Sequence, residues 1–229
     1  MLKLLQSTLV VAMLACGALA FATSAQEKTP PTPTPAPRPA PAEAQVYKVG
    51  STVDEALKLT DLDGKAVSFK ELRGKVVLVH FWSMNCPYEE VADPKVVALE
   101  KAWKDNKDVV ILAINANVTE IGAARPAAGY PDLKKHAEKR GFTHRIAADY
   151  GNKAADLFQA KSTPHCFVLD RKGVIVYAGG LDDDPKGSKG AETKQYARDA
   201  VEATVANKAV EIKESKSYGC SIKRVTPER

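Results

Sequence analysis

From Gly74 the chain reads Gly74-Lys75-Val76-Val77-Leu78-Val79-His80-Phe81-Trp82-Ser83-Met84-Asn85-Cys86-Pro87-Tyr88-Glu89, with Pro94 five residues on. This stretch constrains the fold more than any other. The apolar, β-branched run Val76 to Phe81 predicts a buried strand. Ser83, Met84 and Asn85 make a short loop. Cys86 then opens a helix, with Pro87 in the first turn, where a missing N–H costs nothing. A cysteine there faces unpaired N–H groups and the positive end of the helix dipole. Both favour thiolate over thiol, so the position suits a nucleophile with a depressed pKa.

The remaining elements are arranged around that unit. Leu57 to Leu62 predicts a strand, with Asp63-Gly64 turning into Lys65 to Phe69. Phe69 to Leu72 reads as a short helical turn ended by Gly74. The helix after Cys86 continues through Val96, Leu99 and Trp103. Val109 to Asn115 is a second apolar strand, and two such strands joined by a helix imply a parallel pair. Asn115 to Tyr130 reads as a loop near the active-site edge. Pro131 to Arg140 predicts a helix stopped by Gly141. Ile146 to Asp149 is a short strand and Asn152 to Phe158 a helix. His165 to Asp170 and Val174 to Ala178 form a hairpin, and Ala191 to Ala206 a last amphipathic helix with Tyr196, Ala200 and Val205 inward. There is no internal repeat, and nothing marks a nucleotide or other cofactor site.

Several motifs resemble the thioredoxin-fold redoxins. Phe81-Trp82-Ser83-x-x-Cys86-Pro87 is similar to the thioredoxin active-site stretch, with Cys86 on the attacking cysteine and Pro94 where that helix kinks. Ser162-Thr163-Pro164, before Cys166 to Asp170, looks like the cis-proline loop facing the active site. Tyr218-Gly219-Cys220-Ser221-Ile222-Lys223 is similar to the ending of the peroxiredoxin-like, AhpC/TSA-related branch. The resemblance spans roughly Val46 to Arg224. It implies an α/β, thioredoxin-like fold: a central mixed β-sheet flanked by helices, with an N-terminal extension. Glu89 stands where thioredoxins carry their second cysteine, so the local dithiol is absent.

The candidate catalytic residues are Cys86, Cys220, Glu89 and His80. His80 takes the position of a buried acid that moves protons in thioredoxins, and an imidazole could do the same. Its alternative is a core histidine satisfied by a backbone carbonyl. Glu89 suits the helix start, though its charge would oppose a Cys86 thiolate. A surface Glu is the alternative. Trp82, Pro87, Thr163 and Pro164 are the candidate substrate contacts. Trp82 either shields the rim or packs inside, and Pro164 is expected to be cis. Cys166 begins an apolar strand and reads as core. Cys220 lies in a tail given freedom by Gly219, so it is the expected resolving partner of Cys86.

The ends of the chain speak to location. Met1 to Ala25 carries Lys3, an apolar stretch from Leu9 to Ala22, and Thr23-Ser24-Ala25 before Gln26. This reads as an export signal cleaved near Ala25, with an uncleaved anchor or lipidation at Cys16 as alternatives. The expected destination is periplasmic or otherwise extracytoplasmic. Residues 26–45, rich in Pro, Thr and Ala, read as an extended linker, with a membrane or wall tether as the functional alternative. Residues 46–229 then form the redoxin domain. Of the four cysteines, cleavage leaves Cys86, Cys166 and Cys220, an odd set that leaves one thiol unpaired or only transiently paired. The formal charge of +5 comes without a basic block, which argues against a nucleic-acid partner.

The leading expectation is an exported thiol–disulfide oxidoreductase acting on protein or small-molecule thiols and disulfides through Cys86. A peroxide-reducing enzyme is the second. Ser83 and Cys86-Pro87-x-Glu89 echo peroxiredoxins, but Val79 stands where their motif has Pro, and no arginine precedes Cys166. A copper(I) carrier holding the ion with Cys86, Cys220 and His165 is the third. A binding module with a vestigial Cys86 is the fourth. No metal or cofactor is expected for the leading reading.

Overall fold

The structure, a computed structural model, describes residues 46–225. The export signal, the Pro-rich linker and Cys16 lie outside the described residues. The chain order is β1 (Lys58–Asp61), β2 (Ala66–Ser68), β3 (Val76–Phe81), α1 (Pro87–Trp103), β4 (Val109–Asn115), α2 (Val118–Ile121), α3 (Pro131–Arg140), β5 (Arg145–Ala148), α4 (Lys153–Leu157), β6 (Ser162–Thr163), β7 (His165–Leu169), β8 (Ile175–Gly179), α5 (Tyr196–Val205) and β9 (Cys220–Ser221).

Seven strands form one mixed sheet in the order β2-β1-β5-β4-β3-β7-β8. β3, β4 and β5 run parallel, joined through α1 and α3, while β7 runs antiparallel to β3. This is the mixed α/β sheet of the thioredoxin-like fold. Every residue of β3 is buried because both of its faces are covered. Its alternation sorts the core. Val76 and Leu78 pack with Ala92, Val96 and Leu99 of α1 and with Ala197, Ala200 and Val201 of α5. Val77, Val79 and Phe81 face the opposite cluster, where Phe158 meets Phe81 and Phe167 edge to face at 5.7 and 5.0 Å. α3 covers a third cluster with Trp82, Ile121 and Phe142. Its end is set by Gly141, which takes the left-handed conformation at φ +83°.

Two expectations are corrected. The stretch read as a loop after Asn115 contains the one-turn helix α2, because Val118, Thr119, Glu120 and Ile121 carry too little periodicity to announce four residues. The last α-helix begins at Tyr196, since Gly190–Glu192 forms a separate 3₁₀ turn. Tyr196 and Val205 are only partly buried, and Ala197, Val201 and Thr204 join Ala200 on the inner face.

The tail also behaves differently from a free end. After α5 the chain crosses back over the sheet edge as a docked strap. Ala178 N–H donates to Lys213 O at 3.0 Å, and Ser215 N–H donates to Ala178 O at 3.1 Å. Cys220 and Ser221 pair with Thr163 and Ser162. Ile222 is buried in the main cluster, and its N–H donates to Lys161 O. Gly219 is required here for close approach rather than for freedom. It sits at φ +116°, and a Cβ would lie 2.0 Å from Thr163 O.

Candidate active site

Cys86 caps the N-terminus of α1 in an extended conformation, and Pro87 occupies the first helical turn. Pro94 lies inside the same helix and withholds one backbone donor. The Cys86 side chain is almost fully buried, and its thiol donates to Thr163 O at 3.0 Å. The Thr163–Pro164 peptide bond is cis. β9 pairs Cys220 directly with Thr163, so one residue of the proline loop touches both cysteines. The Cys220 thiol neighbours Cys86 and the start of α1 at Tyr88. Burial and the neighbouring Cys86 push the Cys220 thiol up to about 11. Cys220 is the more exposed of the two.

Cys166 is elsewhere. It lies opposite His80 in the β3–β7 register and is completely buried. Burial pushes its thiol well above the ordinary range.

On the buried face of α1, against β3, lies a cluster of titratable groups. His80 Nε2 and Glu89 Oε2 are 3.2 Å apart, both side chains essentially without solvent contact and without aligned hydrogen bonds to other groups. Burial drives the imidazole down to about 4 and the Glu89 carboxyl well above its usual value. Both shifts run toward the uncharged forms of the pair. The surface placement left open for Glu89 is thereby corrected: the sheet-facing side of α1 carries it onto β3, because position 89 points inward with Ala92 and Val96. One turn on, Asp93 accepts from Trp82 Nε1 at 3.1 Å, and burial raises its carboxyl to about 7. Arg140 Nε stands 3.4 Å from its second oxygen.

Trp82 takes the inner of its two expected placements. It is fully buried between Phe142, His136 and Asp93, which removes it from any surface a substrate touches. Thr163 offers its backbone. Pro87 is exposed beside Tyr88, which is 40% exposed and lies 6.2 Å from the Tyr218 ring. His165 is turned away from the sulfur pair. Its Nδ1 accepts from Lys161 N–H, its ring stacks 4.5 Å from Phe167, and burial lowers it to about 4. Among the described residues no three His, Cys, Asp or Glu side chains converge as a metal cluster would require, so the Cys86, Cys220 and His165 copper set is not assembled.

Sequence reasoning missed Glu120. Its Oε1 accepts from Ser83 Oγ at 2.6 Å and Asn85 N–H at 3.1 Å. Its Oε2 accepts from Met84 N–H at 3.0 Å and Asn115 Nδ2 at 2.6 Å. The whole loop before Cys86 thus hangs on one carboxylate. No spacing in the chain announced it; only the donor-rich loop Ser83-Met84-Asn85 hinted that an acceptor was needed.

The chain matches the AhpC/TSA family over residues 49–178. It is similar to thiol-disulfide oxidoreductase ResA of Bacillus thuringiensis (strain Al Hakam), at 30% identity over 118 residues, 52% of this chain and 62% of that protein. ResA of Halalkalibacterium halodurans is 28% identical over 127 residues, 55% of this chain and 66% of that protein. The chain therefore spans less than two thirds of the length of these relatives. Among solved structures, an uncharacterized conserved protein from Geobacillus kaustophilus superposes with a TM-score of 0.68 at 26% identity, covering 80% of this chain and 95% of that one. A hypothetical protein from Sinorhizobium meliloti 1021 gives 0.65 at 23% identity, covering 80% and 98%, a likeness of fold. The family match takes in more than half of the chain, including the central sheet, the helix-starting Cys86 and the cis Thr163–Pro164 loop, and stops before the strap that carries Cys220. The chain belongs to the AhpC/TSA family.

Proposed function

We propose that the protein is a thiol–disulfide oxidoreductase in which Cys86 attacks and Cys220 resolves. The carrying observation is that Thr163 adjoins both cysteines: its carbonyl accepts from the Cys86 thiol while its backbone pairs with that of Cys220. In the reducing direction, the Cys86 thiolate attacks a substrate disulfide and one substrate thiolate leaves. The Cys220 thiolate then attacks the Cys86 sulfur of the mixed disulfide. The second substrate thiolate leaves, and a Cys86–Cys220 disulfide remains for an external dithiol to reduce. The oxidising direction runs these steps backwards. A mobile tail is not needed, because the strap already delivers the second sulfur.

The Glu89–His80 pair is the proton reservoir in this reading. An acid whose pKa burial raises can keep a proton and release it to a departing thiolate, with the His80 imidazole 3.2 Å away. Tyr88 offers apolar surface beside the sulfurs for a protein substrate. The similarity to the ResA proteins supports thiol–disulfide exchange as the chemistry. Residues 1–25 support an exported protein, and an extracytoplasmic setting gives a chain with such a pair something to exchange with. No helix among the described residues is long and apolar enough to cross a membrane. The peroxide reading is weaker because Ser83 gives its hydroxyl to Glu120 instead of to the sulfur.

Peptide mapping of the oxidised protein tests the proposal. A Cys86–Cys220 crosslink is expected. A Cys166–Cys220 bond with Cys86 free would overturn the assignment of Cys220.

A further inference from the structure

Two segments must be in register for the sulfurs to meet: the loop 83–85 leading to Cys86, and the strap carrying Cys220. They come from opposite ends of the domain, yet both are tied to the same short helix, α2. Glu120, on α2, accepts from Ser83, Met84 and Asn85 on the loop side. Asn117, the residue that caps α2, accepts from Lys223 N–H at 2.8 Å through its Oδ1. Val118 N–H, the first of α2, donates back to Lys223 O at 2.9 Å. Lys223 lies three residues past Cys220. Asn115 ties the pieces together, donating from Nδ2 to Glu120 and accepting Asn117 N–H on its Oδ1.

We propose that Glu120 and Asn117 form a latch that fixes the Cys86 loop and the Cys220 strap against each other, making Glu120 a positioning residue for the sulfur pair. Its role for the cysteines rests on the thiol–disulfide reading above; the mechanical coupling does not. A carboxylate suits the task because all four of its partners are donors. Hydrogen bonds to a charged acceptor are shorter and about twice as strong as neutral ones. The helix α2 is too short to hold itself by propensity. It is held by what it joins, so loosening one side loosens the other.

The substitution Glu120→Gln is close to isosteric and breaks this arrangement in either amide orientation. If the NH₂ faces Asn85, it meets a backbone N–H that cannot accept. If it faces Met84, it meets a second backbone N–H, and Asn115 cannot rotate to accept without giving up Asn117. Asn117→Ala cuts the strap side alone.

Hydrogen exchange of the reduced full-length protein, resolved by peptide, tests the coupling without relying on cysteine chemistry. Glu120→Gln should speed exchange at least ~10-fold both in the loop 83–86 and in the strap 219–223, the loss of one to two charge-assisted bonds. Asn117→Ala should do the same from the other side, and the double variant should add little to either. Faster exchange confined to the loop in Glu120→Gln would overturn the latch and leave Glu120 a local loop anchor. The second arm equilibrates each protein with a dithiol/disulfide buffer and measures the Cys86–Cys220 potential. Both variants should shift the equilibrium constant at least ~10-fold toward the dithiol, since a loosened pair has a lower effective concentration. Coupled exchange with an unchanged potential would refute the positioning role. Coupled exchange with no Cys86–Cys220 bond in the wild type would instead refute the pairing of Cys86 with Cys220 and Glu120's role in it, leaving the latch.

Discussion

Replacing Gly219 with alanine should pull Cys220 away from Cys86. Gly219 holds φ at +116°, and an added Cβ would stand 2.0 Å from Thr163 O, 2.7 Å from its carbonyl carbon and 3.2 Å from Pro164 Cδ. The obstructing atoms are backbone, so no side-chain rotation relieves the contact. An alanine at such a φ costs about 1–3 kcal/mol by itself. The clash adds to this until the strap detaches, which sets the ceiling. Detachment exposes Ile222, worth about 1.5–3 kcal/mol. It also breaks the bonds from Ile222 N–H to Lys161 O, from Lys223 N–H to Asn117 and from Val118 N–H to Lys223 O, at about 1 kcal/mol each. Freed chain entropy lowers that ceiling. The net expectation is a loss of about 2–4 kcal/mol, or a urea midpoint lowered by about 1–2 M at an ordinary m-value. Urea unfolding of the reduced proteins gives the midpoint, and mapping after mild oxidation gives the yield of the Cys86–Cys220 crosslink. The crosslink should fall sharply. A Gly219→Ala protein with wild-type midpoint and wild-type crosslink would show that the strap does not depend on this close approach.

Three further outcomes are expected. Cys86→Ser should abolish turnover, while Cys220→Ser should still undergo the first attack and accumulate a mixed disulfide visible in the intact mass; wild-type turnover in Cys86→Ser would sink the enzyme reading. Glu89→Gln should reshape the pH–rate profile by removing a buried proton donor, and a profile identical to wild type would show that Glu89 only fills space. His80→Gln should flatten the acid side of the stability curve. Burial holds His80 near 4 when folded against 6.5 in its reference state, so above pH 6.5 it is neutral in both states. As pH falls from 6.5 toward 4 only the unfolded chain takes up the proton, and the wild type loses up to about 3 kcal/mol that the variant keeps. Equal urea-midpoint losses between pH 7 and 4.5 in both proteins would refute this.

The central scaffold was legible because its signals are local. Val76 to Phe81 announces a strand by its unbroken β-branched run, Pro87 marks a helix start, and Gly141 marks a helix end, all within a few residues. Cys86 and the Thr163–Pro164 loop were visible for the same reason. What stayed hidden depends on contacts between distant residues. The inward turn of Glu89 follows from the face of α1 that meets β3, and Glu120 acquires its role only when α2 is brought beside loop 83–85. The strap looked like a loose tail because its sequence, Glu211 to Ser217, has no apolar periodicity. Its anchors, Ser215, Gly219 and Ile222, are too sparse to register as an element, yet each meets a site prepared elsewhere in the chain.

The placement of the two sulfurs changes what position 89 can do. In a Cys-x-x-Cys helix, the residue three after the nucleophile is the second thiol, and proton transfer must come from a group behind it. In the proposed mechanism the second thiol arrives from β9, which pairs with the proline loop. Position 89 is thereby released for a carboxylic acid, and it lies against His80 in a dry pocket next to Asp93. In the proposed mechanism Cys220 and the Glu89–His80 pair thus serve Cys86 from different parts of the fold, one held by the strap and one by the core. In the proposed pair, the stability of the oxidised form depends on strap docking, because the strap brings Cys220 to Cys86, whereas proton supply depends on burial that the strap does not control. The two properties should therefore separate under mutation. Changes at Gly219 should move the crosslink yield and leave the pH profile in place, and changes at Glu89 or His80 should do the reverse.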